Sequence, residues 1–403
     1  MKILHVVPTY LPATRYGGPI YSVHGLCKAL VAKGHEVHVF TTTVDGDLDS
    51  EVPINEGVNI DGVQVWYFPT GTTSNASRPM QNPLFRRISR RLYFSPGMKD
   101  ALISRIDEFD VVHLHSVFLW PTFSTARIAH AVSVPYVLSP RGMLVRELVK
   151  RKSRWLKTAW LRIIEKKTIA QAARLHVTSE NELAELSCFS FDLPAVVNIG
   201  NGVELPDKWE KADLSGDVAD VIGTGQYVLY LGRLNWKKGL DRLLFSWAKV
   251  TGWQLVIAGN DEENYLPDLK RIAAEVDVLD RVTFLSRSIS GDDKEALLQS
   301  ASTLVLPSYS ENFGNVVPEA MVRGVPVIVT EEVGAKEIVK KSGGGVVTSE
   351  DLLSSKITAL LDDEETRNHM GEKGKEWIRG SLTWDKVADD MEHCYLSSVN
   401  QDR

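Results

Sequence analysis

Two glutamates eight positions apart, Glu311 and Glu319, are the residues whose type and spacing most directly suggest chemistry. An apolar run over 303–307 predicts a buried strand before them, and a helical pattern over 317–322 follows. One carboxylate therefore lies in a loop and the other in the first helical turn. A helix N-terminus has unpaired N–H groups and partial positive charge, which suit a carboxylate or an electron-rich ligand. A capping Glu319 and a solvated Glu311 fit the same pattern.

Both halves of the chain repeat one order of strand, glycine-containing loop and helix. Residues 2–7 predict a strand, and Gly17-Gly18 lies before a helix that has Pro19 in its first turn, where proline fits. In the second half, residues 227–231 predict a strand before the loop 232–239. The alternation predicts an α/β fold of two doubly wound, Rossmann-like domains that face each other across a cleft. The glycine pair lets backbone N–H groups approach an anion, and a turn without a ligand fits it as well.

The length of 403 residues favours two domains. The polar stretch 204–225 is interpreted as their linker. We therefore predict an N-terminal domain over 1–205 and a C-terminal domain over 206–382. The amphipathic segment 383–403 is predicted to be a helix that packs back on the N-terminal domain.

The cysteines, the apolar segments and the distribution of charge indicate where the protein is located and what kinds of partner it has. The three cysteines have no metal or redox spacing, which suits a reducing cytosol. The first apolar segment is too short for a signal peptide, and no apolar run approaches the roughly 20 residues that cross a bilayer. The net charge of −6 is uneven, because residues 1–205 carry 23 basic and 18 acidic side chains and the remainder 23 and 34. The two halves are therefore expected to have different binding partners. The cysteine pattern and the short apolar segments predict a cytoplasmic protein.

Two residues of the first half follow predicted strands. His115 ends the strand 110–115, and Arg141 comes shortly after the strand 135–139. Ligands of open α/β sheets bind at the carboxyl ends of strands, so both are candidate ligand-binding residues. A hydrogen-bonded structural role also fits His115. Nearby, Ser179 and Glu182 predict a capping box.

The segment 146–167 contains nine basic and two acidic residues among leucines, isoleucines and tryptophans. Such a helix can lie on an anionic membrane surface. A solvated basic face above a core stripe fits the same pattern. An anionic membrane as partner and a solvated helix face are thus both open interpretations of this segment.

Three motifs together resemble the retaining GT-B glycosyltransferases called glycosyl transferases group 1, or glycosyltransferase family 4. The most specific is Glu-Asn-Phe-Gly-Asn-Val-Val-Pro-Glu, from Glu311 to Glu319. The second is Gly232-Arg233 with Lys238-Gly239, and the third is Gly17-Gly18 after the first strand. The resemblance covers essentially the whole chain.

The resemblance implies that 1–205 is the acceptor-side domain and 206–382 the nucleotide-sugar-binding domain. It also implies roles for the residues of the motifs. Arg233 and Lys238 are expected to neutralise the leaving diphosphate, and Glu311 to contact the donor sugar, so these three are the expected catalytic residues. Glu319 is expected to accept hydrogen bonds from the ribose hydroxyls. The expected donor-binding residues are Gly17, Gly18, Gly232, Asn312, Phe313, Gly314, Asn315, Val316, Glu319, Arg287 and Ile289. No metal and no cofactor is expected.

One position departs from the pattern of the family. Many members have a histidine near the acceptor, and the matching residue here is Arg141. Arginine stays charged and is a poor general base. This suits the front-face mechanism proposed for the family, in which the leaving phosphate takes the acceptor's proton. Arg141 can instead bind an acidic acceptor or the donor phosphate, and His115 is a nearby alternative.

The implied activity is transfer of a hexosyl group, with retention, from a nucleotide sugar to a saccharide or lipid-linked acceptor. UDP is favoured over GDP, and surface polysaccharide or lipopolysaccharide biosynthesis is the expected setting, either in the cytoplasm or peripherally on the inner face of the plasma membrane. Nucleic acid is not an expected partner. A nucleotide-sugar epimerase of the same fold and a catalytically silent nucleotide-sugar-binding subunit are the alternatives.

Overall fold

The structure is a computed structural model that describes residues 1–14, 17–71, 83–145, 160–189, 191–206, 214–261 and 263–400, without the side chains of 83–86 and 162. The chain divides into two compact units. Unit 1 contains residues 1–202 and 384–403, and unit 2 contains residues 203–383. Each unit is built on one mainly parallel sheet.

Unit 1 is organised around a large sheet. Its strands are β1 Lys2–Val6, β2 Glu36–Thr42, β3 Val44–Asp45, β4 Leu48–Asp49, β5 Gly57–Ile60, β6 Val63–Phe68, β7 Val111–His115, β8 Tyr136–Ser139, β9 Arg174–Val177 and β10 Val196–Asn198. Eight of them form the sheet, in the order β10-β9-β8-β7-β1-β2-β6-β5, and β3 pairs with β4 separately. Every neighbour in the sheet is parallel except the pair of β5 and β6. The carboxyl ends of the parallel strands therefore share one edge.

The helices of unit 1 connect these strands. They are α1 Gly18–Ala32, α2 Pro83–Leu92, α3 Pro96–Arg105, α4 Trp120–Ala131, α5 Lys166–Ala170, which follows a π-helical turn at Leu161–Glu165, and α6 Glu180–Ser187. The serine side of the predicted capping box of α6 is confirmed, because Ser179 Oγ accepts from Glu182 N at 3.1 Å. The Glu182 carboxylate also accepts from Thr178 N at 2.9 Å and from Gly142 N at 2.6 Å.

Unit 2 has a six-stranded parallel sheet. Its strands are β11 Tyr227–Leu231, β12 Gln254–Ala258, β13 Val282–Leu285, β14 Thr303–Leu306, β15 Val327–Thr330 and β16 Gly345–Thr348. Their order is β13-β12-β11-β14-β15-β16, with all neighbours parallel. The first strand, β11, therefore lies in the middle of the sheet, and the order in which strands are added reverses between β11 and β14. Ligands of doubly wound sheets bind outside the carboxyl ends of strands at such a reversal.

The helices of unit 2 complete its layers. They are α7 Gly216–Gly223, α8 Leu240–Trp247, α9 Leu266–Glu275, α10 Gly291–Ser300, α11 Val316–Met321, α12 Lys336–Ser342, α13 Leu353–Asp362 and α14 Glu364–Ser381. The interpretation of all of 204–225 as linker is wrong at α7. This helix buries Val218 and Val221 in unit 2. Val218, Val221 and Ile222 have helical spacing, but this signal is short and the stretch around it is polar.

The last helix, α15 Trp384–Val399, belongs to unit 1. A Cβ at Gly25 would lie 2.3 Å from the Trp384 ring, and one at Gly202 would lie 2.5 Å from it. Glycine at both positions therefore leaves space for the indole. Lys33 Nζ also forms an ion pair with Asp389.

Candidate active site

Two loops of unit 2 meet where the strand order reverses. The loop after β11 contains Lys238, in a 3-10 turn, and the loop after β14 contains Glu311. Because β11 and β14 are adjacent and parallel, these loops leave the sheet side by side. Lys238 Nζ forms an ion pair with Glu311 Oε2, and the two side chains are only 15% and 17% exposed. A cation and a carboxylate from distant parts of the sequence thus form one partly buried pair.

The backbone around this lysine is held in place from several sides. Tyr309 N donates to Lys237 O at 2.7 Å, which ties the two loops together. Gly239 has a φ of 64°, and a Cβ there would lie 2.1 Å from Pro307 O. Only glycine fits that conformation and that space.

The loop after β15 holds the backbone of Glu311. Glu311 N donates to Glu332 O at 3.3 Å, and Glu311 O accepts from Gly334 N at 2.9 Å. Phe313 O accepts from Ala335 N at 2.8 Å. The Phe313 side chain is 3% exposed, so it packs in the core and can offer a ligand only its backbone. The carboxylate of Glu311 is therefore presented from a fixed backbone.

The second predicted glutamate has a cationic partner of its own. Glu319 lies in α11, and its Oε1 is 2.8 Å from Lys294 Nζ of α10. The other predicted residues of this loop are Asn312, Asn315 and Val316, all partly exposed, and Gly314, which is buried with a φ of 92°. Sequence reasoning missed Lys294, because no local signal links α10 to α11.

Arg287, one of the expected donor-binding residues, is part of an ion-pair network. Its Nη2 lies 2.7 Å from Asp217 Oδ1 and 2.8 Å from Asp293 Oδ2. Hydrogen bonds from Arg287 and Ser215 lower the pKa of Asp217, and the bond to Asp217 raises the pKa of Arg287. Ile289, two residues further along, is partly exposed. The guanidinium thus joins α7 to the start of α10.

The remaining predicted residues of unit 2 follow β11 directly. Gly232 is partly exposed, and a Cβ there would lie 3.0 Å from Tyr230 Oη. The Tyr230 hydroxyl donates to Arg233 O at 2.9 Å. Burial first, and then the charge of Glu311, raise the pKa of Tyr230. Tyr230 thus supports the turn of Arg233, whose side chain is exposed.

In unit 1, the predicted glycine pair begins α1. Gly17 has a φ of 69°, a conformation that glycine adopts without strain, and it accepts from Ile20 N at 3.1 Å. Gly18 is the first residue of the helix. A Cβ at Gly17 would meet no atom within 4 Å, so conformation and not space requires this glycine.

Buried histidines of unit 1 form a chain of hydrogen bonds with one consistent direction. The Ile199 carbonyl can only accept, so His176 Nε2, 2.9 Å away, carries a proton. Neutral His176 therefore accepts at Nδ1 from the Ser139 hydroxyl at 2.8 Å. Ser139 Oγ in turn accepts from His113 Nε2 at 2.7 Å. His113 Nδ1 is then an acceptor, and the Tyr395 hydroxyl of α15 donates to it at 2.7 Å.

A second chain begins at Arg141. Its Nε and Nη2 donate to His115 Nδ1 at 3.4 and 3.3 Å, and its Nη1 donates to Asn201 Oδ1 at 3.0 Å. Neutral His115 therefore carries its proton on Nε2 and donates to His5 Nδ1 at 3.0 Å. This leaves the proton of His5 on Nε2, a buried atom without a partner in the described part of the chain. The two predicted acceptor-side residues, Arg141 and His115, are thus in direct contact.

The ring nitrogens of His5, His113 and His115 lie within 4.8 Å of one another, as in some metal sites. Desolvation lowers the pKa of all three, so the rings are neutral. Every nitrogen except His5 Nε2 already has a hydrogen-bond partner, and Arg141 places a positive charge beside the cluster. The donor set fits a hydrogen-bond network better than a cation site.

Replacing Tyr395 with phenylalanine should destabilise the protein by about 1–3 kcal/mol, because it leaves buried His113 Nδ1 without a donor. Urea unfolding at pH 7 measures the change. Tyr21→Phe, at a half-exposed position, is the control and should change stability by less than about 0.5 kcal/mol. Equal effects of the two substitutions would show that the Tyr395 hydroxyl does not support the chain.

Two family models match the chain. The glycosyl transferase 4-like domain matches residues 17–202, and glycosyl transferases group 1 matches residues 219–377. This chain belongs to the group 1 glycosyltransferases. The matches agree with the resemblance seen in the sequence.

Named relatives and solved structures agree with this family. The chain is 28% identical to an uncharacterized glycosyltransferase of Methanocaldococcus jannaschii, with 98% of each chain covered. It is 27% identical to a GDP-mannose:cellobiosyl-diphosphopolyprenol alpha-mannosyltransferase of Xanthomonas oryzae pv. oryzae, over 90% of this chain and 86% of the relative. The crystal structure of Anabaena HepE in complex with UDP and glucose has a TM-score of 0.72 at 16% identity, over 98% of this chain and 100% of HepE. The predicted GT-B fold, with two Rossmann-like domains, and glycosyltransferase activity are thereby confirmed.

Proposed function

We propose that this group 1 glycosyltransferase transfers a hexosyl group from a nucleoside diphosphate sugar to a hydroxyl of a saccharide or lipid-linked acceptor, with retention of configuration. The observation that carries the proposal is the Lys238–Glu311 pair at the strand-order reversal of unit 2. A cation beside a carboxylate suits a substrate that releases diphosphate while positive charge grows on the sugar.

The proposed roles follow from the chemistry of each group. Lys238 and Arg233 neutralise the leaving diphosphate, and Glu311 faces the sugar. Glu319, together with Lys294, binds the ribose hydroxyls, because a carboxylate accepts hydrogen bonds from a diol. Arg287 and its neighbour Ile289 support the region of the base.

Retention is proposed to follow a front-face path. The bond from the anomeric carbon to the diphosphate oxygen breaks, and the acceptor oxygen bonds to the same face. The leaving phosphate oxygen takes the acceptor's proton, so no protein base is required. Because side-chain cations balance the diphosphate, we propose transfer without a metal or a cofactor, which an assay with and without EDTA measures.

The nature of the acceptor is proposed from relatives. The Xanthomonas relative is named for a cellobiosyl-diphosphopolyprenol acceptor, which supports a lipid-linked saccharide and surface polysaccharide or lipopolysaccharide assembly. No described helix is long and apolar enough to span a bilayer. Membrane binding by the segment 146–167 stays a prediction, because residues 146–159 lie outside the described part of the chain.

A thermal-shift screen of nucleotide sugars tests the proposal. A donor at about 100 times its Kd stabilises the folded chain by about 2.7 kcal/mol, which should raise Tm by several degrees. Both nucleotides belong in the screen: the expected preference for UDP has support from the HepE complex, whereas the Xanthomonas relative is named for GDP-mannose. Lys238→Gln should reduce the shift. If no UDP- or GDP-sugar binds or is hydrolysed, the proposal fails.

A further inference from the structure

The Arg141 guanidinium has only neutral partners. Its three hydrogen bonds go to His115 Nδ1 and Asn201 Oδ1. A guanidinium has five N–H donors, so two remain without an acceptor in the described ranges. No carboxylate among the described residues forms an ion pair with Arg141. A partly buried cation without a counter-ion is costly, and a bound anion would remove that cost.

The carboxylate with the largest electrostatic effect on Arg141 is already engaged. Burial lowers the pKa of Arg141, and Glu182 is the first group that raises it again. Glu182 Oε1 accepts from Gly142 N at 2.6 Å, and its Oε2 accepts from Thr178 N and Oγ1 at 2.9 and 3.1 Å. Glu182 thus holds the backbone beside Arg141 and leaves the guanidinium donors unused.

The backbone at Arg141 adopts a conformation that costs free energy. Arg141 has a φ of 55° and Gly142 a φ of 69°. Met143 N donates to Pro140 O at 3.3 Å and closes the turn. A positive φ is strained for arginine and needs support from its surroundings, which the bond from Gly142 N to Glu182 provides. Strain of this kind is concentrated at binding sites.

The turn also lies where a ligand can reach it. Arg141 follows the carboxyl end of β8, and His115 is the last residue of the adjacent β7. Asn201 comes shortly after β10 on the same edge of the sheet. Arg141 is partly exposed, so this turn lies in part at the surface of unit 1.

We propose that Arg141 and Asn201 bind an oxyanion, a phosphate or carboxylate group, that the acceptor substrate carries close to its reacting hydroxyl. The planar fork of arginine matches such a group with two parallel hydrogen bonds. The inference rests on the proposed function, since it assigns the anion to the acceptor of that reaction. It explains why arginine, a poor base, occupies this position.

Calorimetric titration with inorganic pyrophosphate tests the site. The Lys238→Gln variant serves as background, because it weakens the proposed donor-phosphate site in unit 2. In that background, Arg141→Gln should weaken pyrophosphate binding by about 10- to 100-fold. Arg141→Lys should restore only part of the affinity, since lysine keeps the charge and loses the fork. Unchanged binding in both variants would overturn the proposal.

Asn201→Asp tests the site without removing the arginine. The new carboxylate is nearly isosteric and should occupy Arg141 as an internal counter-ion. We expect a higher Tm together with at least a tenfold loss of pyrophosphate affinity. A higher Tm with full pyrophosphate affinity would show that Arg141 is only structural.

Titrations with UDP and GDP separate the two sources of phosphate. In Arg141→Gln alone, the nucleotide that binds the wild type should keep its affinity within about threefold, since the inferred site serves the acceptor. A loss as large as that of pyrophosphate would assign Arg141 to the donor and overturn the inference, while the proposed function stands. If the wild type binds or hydrolyses no nucleotide sugar, the proposed function itself fails.

Discussion

Replacing Glu311 with glutamine is expected to lower kcat by about 100- to 1000-fold, the range typical of removing one preorganised charge-stabilising group. The carboxylate is 17% exposed and is held by backbone bonds to the loop after β15, so its negative charge acts in a poorly screened environment. Glutamine keeps the shape and hydrogen-bonding capacity of the side chain but removes the charge.

The same substitution should leave the donor KM unchanged or lower it. Glu311 pairs with Lys238 in the ligand-free structure, and its neutralisation releases that lysine for the diphosphate. A purely structural glutamate would show a different pattern, in which the KM rises together with the loss of kcat. Steady-state kinetics of UDP or GDP release measure both constants.

Glu331→Gln is the matched control for this experiment. Glu331 is an exposed carboxylate that pairs with Lys336 and Lys340. Its substitution should change kcat by less than about twofold, because exposed pairs contribute little. Near-normal kcat in Glu311→Gln would remove Glu311 from its proposed role.

The features of the fold and of the site that depend on local sequence patterns could be predicted. Apolar runs and glycine loops located the strands that precede Lys238 and Glu311, and the alternation of strands and helices predicted the α/β class. The Lys238–Glu311 contact follows from topology, because a sheet with the order of unit 2 places those two loops together. Family motifs supplied the expected roles of these residues.

Contacts between distant segments could not be predicted. Tyr395 and His113 are 282 positions apart, and neither lies in a distinctive motif. The Glu319–Lys294 pair likewise depends on how α10 packs beside α11. The donor-to-acceptor direction along the two histidine chains can be assigned only from the positions of Ile199 O and Arg141. These two groups fix which ring nitrogens carry protons.

Mild acid is expected to destabilise unit 1, because its buried histidines are held neutral. Burial lowers the pKa of His5 and of His176 from 6.5 to about 3, and lowers the pKa of His113 and His115 well below 6.5. Between pH 6.5 and 3 the unfolded chain therefore binds more protons than the folded chain. Stability is full above pH 6.5 and falls as the pH decreases.

Other groups modify this slope without reversing it. The pKa values of His35 and His38 are also lowered by burial, and they act in the same direction. Burial raises the pKa of Glu165, so this carboxyl gains protons in the folded state and offsets part of the loss. Most carboxylates with a lowered pKa act only below about pH 4.5, where they add to the loss of stability.

At pH 5, His5 and His176 each contribute a loss of about 2 kcal/mol, and His113 and His115 add to the loss in the same direction. Thermal unfolding between pH 7 and 5 should therefore show a steep fall in Tm. His5→Asn is the informative variant, because the asparagine oxygen can still accept from His115 Nε2 while the titrating ring and its unpartnered N–H are removed. This variant should bind about one proton fewer on unfolding at pH 5. A Tm independent of pH over this range would show that the buried histidines are not held neutral by the fold.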